Sequence, residues 1–490
     1  MPALRFTGDS RGPASRSPSL ALRRGAALLA ALLCLISTAA SAASQPEVKV
    51  EVLRDGDGWT ADFALTKDAP AWAFYRSALT RVGGKPWRPQ AWTIETPGVR
   101  FERRGFYDVL TGDGAAVPRT VRIRFRPFGE DLEADYEPAL IFTDGSVALF
   151  TNQFDMMPLD SAAAAEALPL ALGGHPPTGQ PAEVTFRDEA GPLLHASERK
   201  PRVTLTSGDT YVLFGPAKPI EGKDIVAVID PGLPQWIAEE LAASTPRLLA
   251  HYAGRLGPRS GVKPTLMVSW MGATPKLQSM GGSVLPGLVI MAFEGEGVKV
   301  RNPAVLNGAR AFIAHEAAHF WLGETVRYDA AAHAWMTEGG ADLLAVRASE
   351  AVDPAYDGRA VLNAAVDECI ALGAGKPINN ANERSEHRAY YACGAVFGLV
   401  AEAAARRVRP DHDFFDFLRP LIDANRADGV VSKEEWLTHL TKASRDASLA
   451  HDIREMTDKG VADPKAVIAS LFSRAGVRHS LDAKGRPRLD

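Results

Sequence analysis

Residues 314–342 read AHEAAHFWLGETVRYDAAAHAWMTEGGAD, and the reading of the chain turns on them. His315 and His319 stand four residues apart with Glu316 between them. On a helix that spacing puts both imidazoles on one face, one turn apart, where they can reach a single ion. Glu316 projects beside that ion, where a carboxylate that is not a ligand can hold water. The surrounding ARAFIAHEAAHFWL is otherwise apolar, so three polar groups there are costly unless something pairs them. The competing reading is a helix whose histidines are simply hydrogen-bonded in a core. Zinc, however, needs a third protein ligand and one open position. Glu338, with eighteen residues intervening after His319, supplies a candidate for that ligand on the next helix of an antiparallel pair. Asp342 follows one turn further along the same face, where it either accepts the outer N–H of a ligating histidine or serves as a solvated or capping carboxylate.

The rest of the chain frames this segment. At 490 residues, 46% hydrophobic and 23% charged with a net charge of −4, it has room for two or three domains and no basic excess that would favour nucleic acid. Arg16, Arg23 and Arg24 precede the apolar run GAALLAALLCLI (residues 25–36), followed by small residues ending at Ala42 and Ala43. That pattern is a secretory signal peptide over residues 1–42, too short to span a bilayer comfortably, so we expect a secreted or periplasmic protein with no stable membrane insertion. Cys34 leaves with the signal, and Cys369 and Cys393 remain, either as one disulfide or as two buried thiols that never meet.

From residue 45 to 218 short alternating segments such as VKVEVL, WTADFAL, VRIRFRPF, VALFT and TYVLFG are broken by Gly, Pro and Asp, which predicts a β-rich N-terminal domain. The Ala-rich insert at residues 161–174 reads as a short helix or a loop. Beyond residue 219 the pattern is a helix at 234–257, buried strands PTLMVSW and GLVIMAFEG, and then helices at 305–323, 338–351, 359–372 and 388–407. The expected fold class is α+β: the β-rich domain, a mostly helical catalytic domain over 219–400, and a helical C-terminal tail over 401–490 packed on it. Residues 423–436 superficially suggest a calcium loop, but Ala424 and Arg426 stand where acidic ligands belong; Ser432 with Glu435 three residues on is a helix cap.

The stretch HEAAHFWLGETVRYDAAAHAWMTEGGA resembles the zinc segment of the membrane alanyl aminopeptidase and leukotriene hydrolase family of gluzincins, through Trp321, Gly323, Trp335, Glu338, Gly339 and Ala341. The pattern Glu338, Gly339, Asp342 is also similar to thermolysin and the glycyl aminopeptidases. The resemblance implies a thermolysin-like catalytic domain, one zinc ion on His315, His319 and Glu338, Glu316 as general base, and peptide or unfolded-protein substrates. It also implies a tyrosine that stabilises the oxyanion. YYACGAVFGLV supplies Tyr391, Gly394 and Ala395 for that pattern, with Tyr390 the alternative register and a plain core tyrosine the competing reading. Cys393 replaces the family's lysine, and a disulfide to Cys369 would couple this helix to its neighbour. A second departure lies ahead of the zinc helix. The family's G-A-M-E-N strand matches GGSVL here, and Val284 occupies the place of the glutamate that binds the substrate amine. Glu294 and Glu296 follow and read as exposed turn carboxylates. The alternative to an exported peptidase is an inactive or non-peptidase zinc-binding protein whose β domain holds a partner; a scaffold, though, has no use for a base beside the metal.

Overall fold

The computed structural model describes residues 46–114, 116–133, 135–170, 182–206 and 208–490. The expected signal peptide lies outside the described residues. Among those described, no helix is long and apolar enough to cross a membrane. The chain folds as a β-rich N-terminal region followed by a mostly helical part.

Three sheets build the N-terminal region. The six-stranded sheet contains Val48–Asp55 and Gly58–Leu65, whose alternation buries Val48, Val50, Val52, Trp59, Ala61 and Phe63 and turns Lys49 and Glu51 outward. Those side chains meet an aromatic core in which Phe63, Phe74, Trp92 and Phe154 lie at centroid separations of 5.6–6.4 Å. The short helix α1 (Arg88–Ala91) places a fully buried Arg88 beside this core, 3.3 Å from Asp108 and donating to the Gln153 carbonyl at 2.7 Å. The insert at 161–174 forms a 3-10 turn over Ala162–Ala167, capped by Ser161; its residues 171–174 fall outside the described residues.

A third N-terminal sheet carries Val147–Phe150 and Tyr211–Phe214, which are buried at all four positions rather than at every second one. The reason is a second covering layer. Phe142, Phe150, Leu194 and Leu213 pack against Met267, Leu285, Leu288 and Ile290 of the next sheet, so one apolar layer joins the two halves of the chain.

That next sheet runs in the order Ile220–Glu221, Val226–Ile229, Thr265–Trp270, Leu288–Glu294, Ser279–Leu285. Its middle pairs are parallel, with helix α2 (Gln235–Leu256) as the crossover, and Ser279–Leu285 returns antiparallel to form the edge. On the other face lie α3 (Pro303–Ala318), α4 (Trp335–Val352), α5 (Gly358–Gly373) and α6 (Arg388–Val408). The C-terminal segment adds α7 (Phe414–Ala424), α8 (Lys433–Ser444), α9 (Ala447–Arg454), α10 (Pro464–Ala475) and a hairpin whose Arg486 and Arg488 pair with Asp367 of α5. The expected division at residue 400 falls within α6, which runs on without a break. At the rejected calcium loop, the Ser432 hydroxyl accepts from the Glu435 N–H at 3.2 Å, and the Glu435 carboxylate accepts from the Ser432 N–H at 2.8 Å. It is a capping box.

Candidate metal centre

α3 starts where the sequence gives it a cap and a stop to its own extension. Asn302 accepts from the Ala304 N–H at 2.9 Å, and Pro303 follows at the first helical position. The helix is shorter than the expected 305–323 and ends at Ala318, with His319 as its C-cap. Beyond it the chain turns because Trp321 is drawn toward α2, donating its indole N–H to the Gly257 carbonyl at 2.9 Å and stacking on Tyr252 at 5.5 Å. Tyr252 in turn donates to the Ala314 carbonyl at 2.8 Å, which ties the zinc-motif helix to α2 from below. Glu324, one turn further, accepts from the Gly287 N–H at 2.6 Å and so fixes the loop against the hairpin of the edge strand.

His315, Glu316, His319 and Glu338 are all buried. The two Nε2 atoms stand 3.1 Å apart, and Glu338 Oε2 lies 3.4 Å from one and 3.5 Å from the other. Two imidazole nitrogens and a carboxylate oxygen so placed could hold a cation. Ligands of a tetrahedral zinc at about 2.0–2.1 Å stand about 3.3–3.4 Å apart, so the triangle fits that ion. Glu316 also brings a carboxylate oxygen within 4.8 Å of both imidazoles. Glu338 is the one in contact with both nitrogens, which leaves Glu316 beside the triangle rather than in it.

The outer nitrogens are engaged too. His319 Nδ1 is 3.1 Å from the Leu322 carbonyl, which sets its tautomer so that Nε2 faces the ion position. His315 Nδ1 is 2.8 Å from Asp342 Oδ1, a charge contact bent away from good hydrogen-bond geometry. The electrostatics follow from the crowding. Burial alone would lower the His315 imidazole, but Asp342 and Glu338 outweigh it and raise it well above its usual value. Burial would likewise raise Glu338, yet the neighbouring His319 and His315 hold it well below the usual carboxylate range. Glu316 is raised, by burial first, with the two histidines partly offsetting it.

Tyr391 arrives from α6. Its ring stacks on His315 at 5.6 Å and 18°, and its phenol is pushed well up by burial and then by the Glu338 carboxylate. Tyr390 points elsewhere, donating to the Asn379 carbonyl at 3.0 Å, so the structure brings Tyr391 and not Tyr390 to the cluster. α6 approaches α4 by a backbone-to-backbone crossing at Gly339 and Gly394, where neither position has space for a Cβ. Arg347 of α4 and Glu402 of α6 form a two-pronged pair at 2.8 Å and 2.8 Å further along. Cys369 and Cys393 form a disulfide that joins α5 to α6.

Val284 is buried in the core of the helical part. Glu294 accepts from the Thr274 hydroxyl at 2.5 Å, and Glu296 is exposed. Sequence reasoning missed Tyr136, an N-terminal residue whose hydroxyl reaches Ser283 on the edge strand at 3.5 Å. The only trace of it was a polar-aromatic residue between two acids.

No protein-family model and no curated protein matches the chain. Among solved structures it superposes on the aminopeptidase N family protein from Idiomarina loihiensis with a TM-score of 0.55 at 10% identity, over 86% of this chain and 78% of that one. The M1 zinc metallopeptidase from Deinococcus radiodurans gives a TM-score of 0.42 at 18% identity (84% and 92% covered). Leukotriene A4 hydrolase from Saccharomyces cerevisiae gives 0.45 at 12% (86% and 68% covered). The chain thus shares the overall fold of that aminopeptidase N family protein.

Proposed function

We propose that the protein is an exported zinc-dependent peptidase that holds one zinc ion through His315, His319 and Glu338 and uses Glu316 as general base. The observation that carries this is the 3.1, 3.4 and 3.5 Å triangle of donor atoms beside a buried Glu316. Zinc bound there supplies a Lewis acid that makes water more acidic and a peptide carbonyl more electrophilic. Glu316 takes the proton as water attacks and passes it to the departing amine. Tyr391 keeps its proton and donates a hydrogen bond to the developing oxyanion. Asp342 and the Leu322 carbonyl orient the two imidazoles. Export rests on the pattern of residues 1–42.

The test is peptide-library cleavage by the purified mature chain, beside Glu316→Gln and a chelated sample, with metal content measured for each. We expect one zinc per chain in wild type and in Glu316→Gln, a kcat about 10²–10⁴-fold lower in the variant, and no cleavage after chelation. Cleavage that survives both changes would remove the mechanism.

A further inference from the structure

The edge strand Ser279–Leu285 ends its sheet, so its outer backbone edge can pair with an extended peptide. Its seven residues, SMGGSVL, carry no charge. Val284 and Gly282 face the helices, and Ser283 faces the N-terminal region, where its hydroxyl meets that of Tyr136 at 3.5 Å. The strand carrying Ser283 packs on the helix of the proposed base. Gly282 lies against Phe312, which precedes Glu316 by one turn on the same face of α3. Tyr136 is held in place by Phe150, 5.1 Å away, and by the Arg76 guanidinium, 5.6 Å over its ring.

The two acids that Arg76 reaches in this wall are already matched. Arg76 donates to Asp135 at 2.6 Å and to Asp209 at 2.8 Å; Asp135 also accepts the Tyr136 N–H, and Asp209 accepts from Asn152. A substrate ammonium placed here would leave water for two neutral hydroxyls and would have to compete with a fixed guanidinium. A neutral amide would lose little and would find both a donor and an acceptor.

We propose that Tyr136 and Ser283 are specificity-determining residues that receive a neutral amide, so that the substrates are peptides cut at internal bonds or carrying an acylated N-terminus. The assignment rests on the peptidase reading above and concerns the substrate's form rather than the chemistry. The test compares one peptide with a free amine, the same peptide N-acetylated, and a longer peptide containing it internally. We expect kcat/KM for the acetylated and internal forms to equal or exceed that of the free amine. Tyr136→Phe and Ser283→Ala should each raise KM for the acetylated peptide by about fivefold, the scale of one neutral hydrogen bond, with kcat and melting temperature little changed. A preference of about tenfold or more for the free amine, erased by Asp209→Asn, would overturn the proposal and make Asp209 the amine anchor. Equal rates for acetylated and internal peptides identify the amide itself as the feature read, whereas cleavage of only one of them shows which source is used. If no form is cleaved, the peptidase reading fails, and calorimetric binding of the same peptides to Glu316→Gln decides this one. Acetylated or internal peptide bound at least as tightly as the free amine upholds it; tighter free-amine binding, or none at all, ends it.

Discussion

Gly394→Ala should cost the protein both stability and catalysis, because the crossing of α4 and α6 admits no side chain at that point. A Cβ on Gly394 would stand 2.8 Å from the Gly339 Cα and 2.9 Å from the Trp335 carbonyl carbon, and nearer still to the carbonyl oxygen; ordinary contact begins at 3.4 Å. All of these are backbone atoms, so no rotamer change relieves the clash and the helices must separate by about 1 Å. Overpacking of this kind costs about 1–3 kcal/mol, offset by about 1 kcal/mol from better helix propensity. A net loss near 1 kcal/mol lowers Tm by about 2–4 °C. The functional loss is larger in proportion. Gly339 follows Glu338, and Gly394 lies three residues past Tyr391, so the shift moves the third proposed ligand against the proposed oxyanion donor. A displacement of about 1 Å can cost about 100-fold in rate. Scanning calorimetry and kcat/KM on one peptide would measure both. Gly254→Ala is the control: nothing lies within 4 Å of its Cβ position in α2, so it should gain about 0.5–1 kcal/mol. A Gly394→Ala protein that melts within about 1 °C of wild type with unchanged kcat/KM would refute the reasoning.

Three further outcomes are expected. Asp342→Asn should weaken zinc binding by about 10–100-fold, read by competition with a chromophoric chelator, since it removes the charge facing His315 Nδ1. Reduction of the Cys369–Cys393 disulfide, or its replacement by two serines, should lower stability by about 3 kcal/mol for a loop of 24 residues' separation, measured in denaturant. Asp155, pushed up to about 7 mainly by burial, binds its proton more tightly folded than unfolded. Its contribution is therefore complete below about pH 4 and is lost as pH rises through 7. Asp155→Asn, always neutral, should gain on wild type between pH 4 and 8, by at most about 4 kcal/mol, and a gain that runs the other way would reject the assignment.

The histidine pair of the candidate metal centre was legible because helical spacing is local. The four-residue spacing from His315 to His319 dictates a shared face whatever the rest of the chain does. Glu338 and Tyr391 needed more, since spacing alone cannot say which later helix returns to the first; their places came from resemblance. The strands called from alternation, such as Val48–Asp55, follow the rule that one face is buried. Val147–Phe150 and Tyr211–Phe214 break it, and their unbroken apolar runs were the available sign of a layer covered on both sides. Tyr136 was out of reach because its partner Ser283 lies 147 residues away and joins it only through that covering layer. The glycine crossing had a faint sign, small residues at 394 and 398 on one helix face, which sequence alone does not pair with Gly339.

The apolar layer between the N-terminal sheet and the zinc-side sheet also acts as a thickness gauge. Two domains joined by polar contacts would swing apart to admit a bulky guest. Here Leu285, Leu288 and Ile290 would have to be stripped of Phe150 and Leu213 before the wall carrying Tyr136 could retreat from the strand carrying Ser283. The approach of Tyr136 to Ser283 is therefore set when the chain folds. The two hydroxyls that the proposal assigns to the substrate thus sit on one rigid unit, so their mutual distance is a property of the fold rather than of the guest.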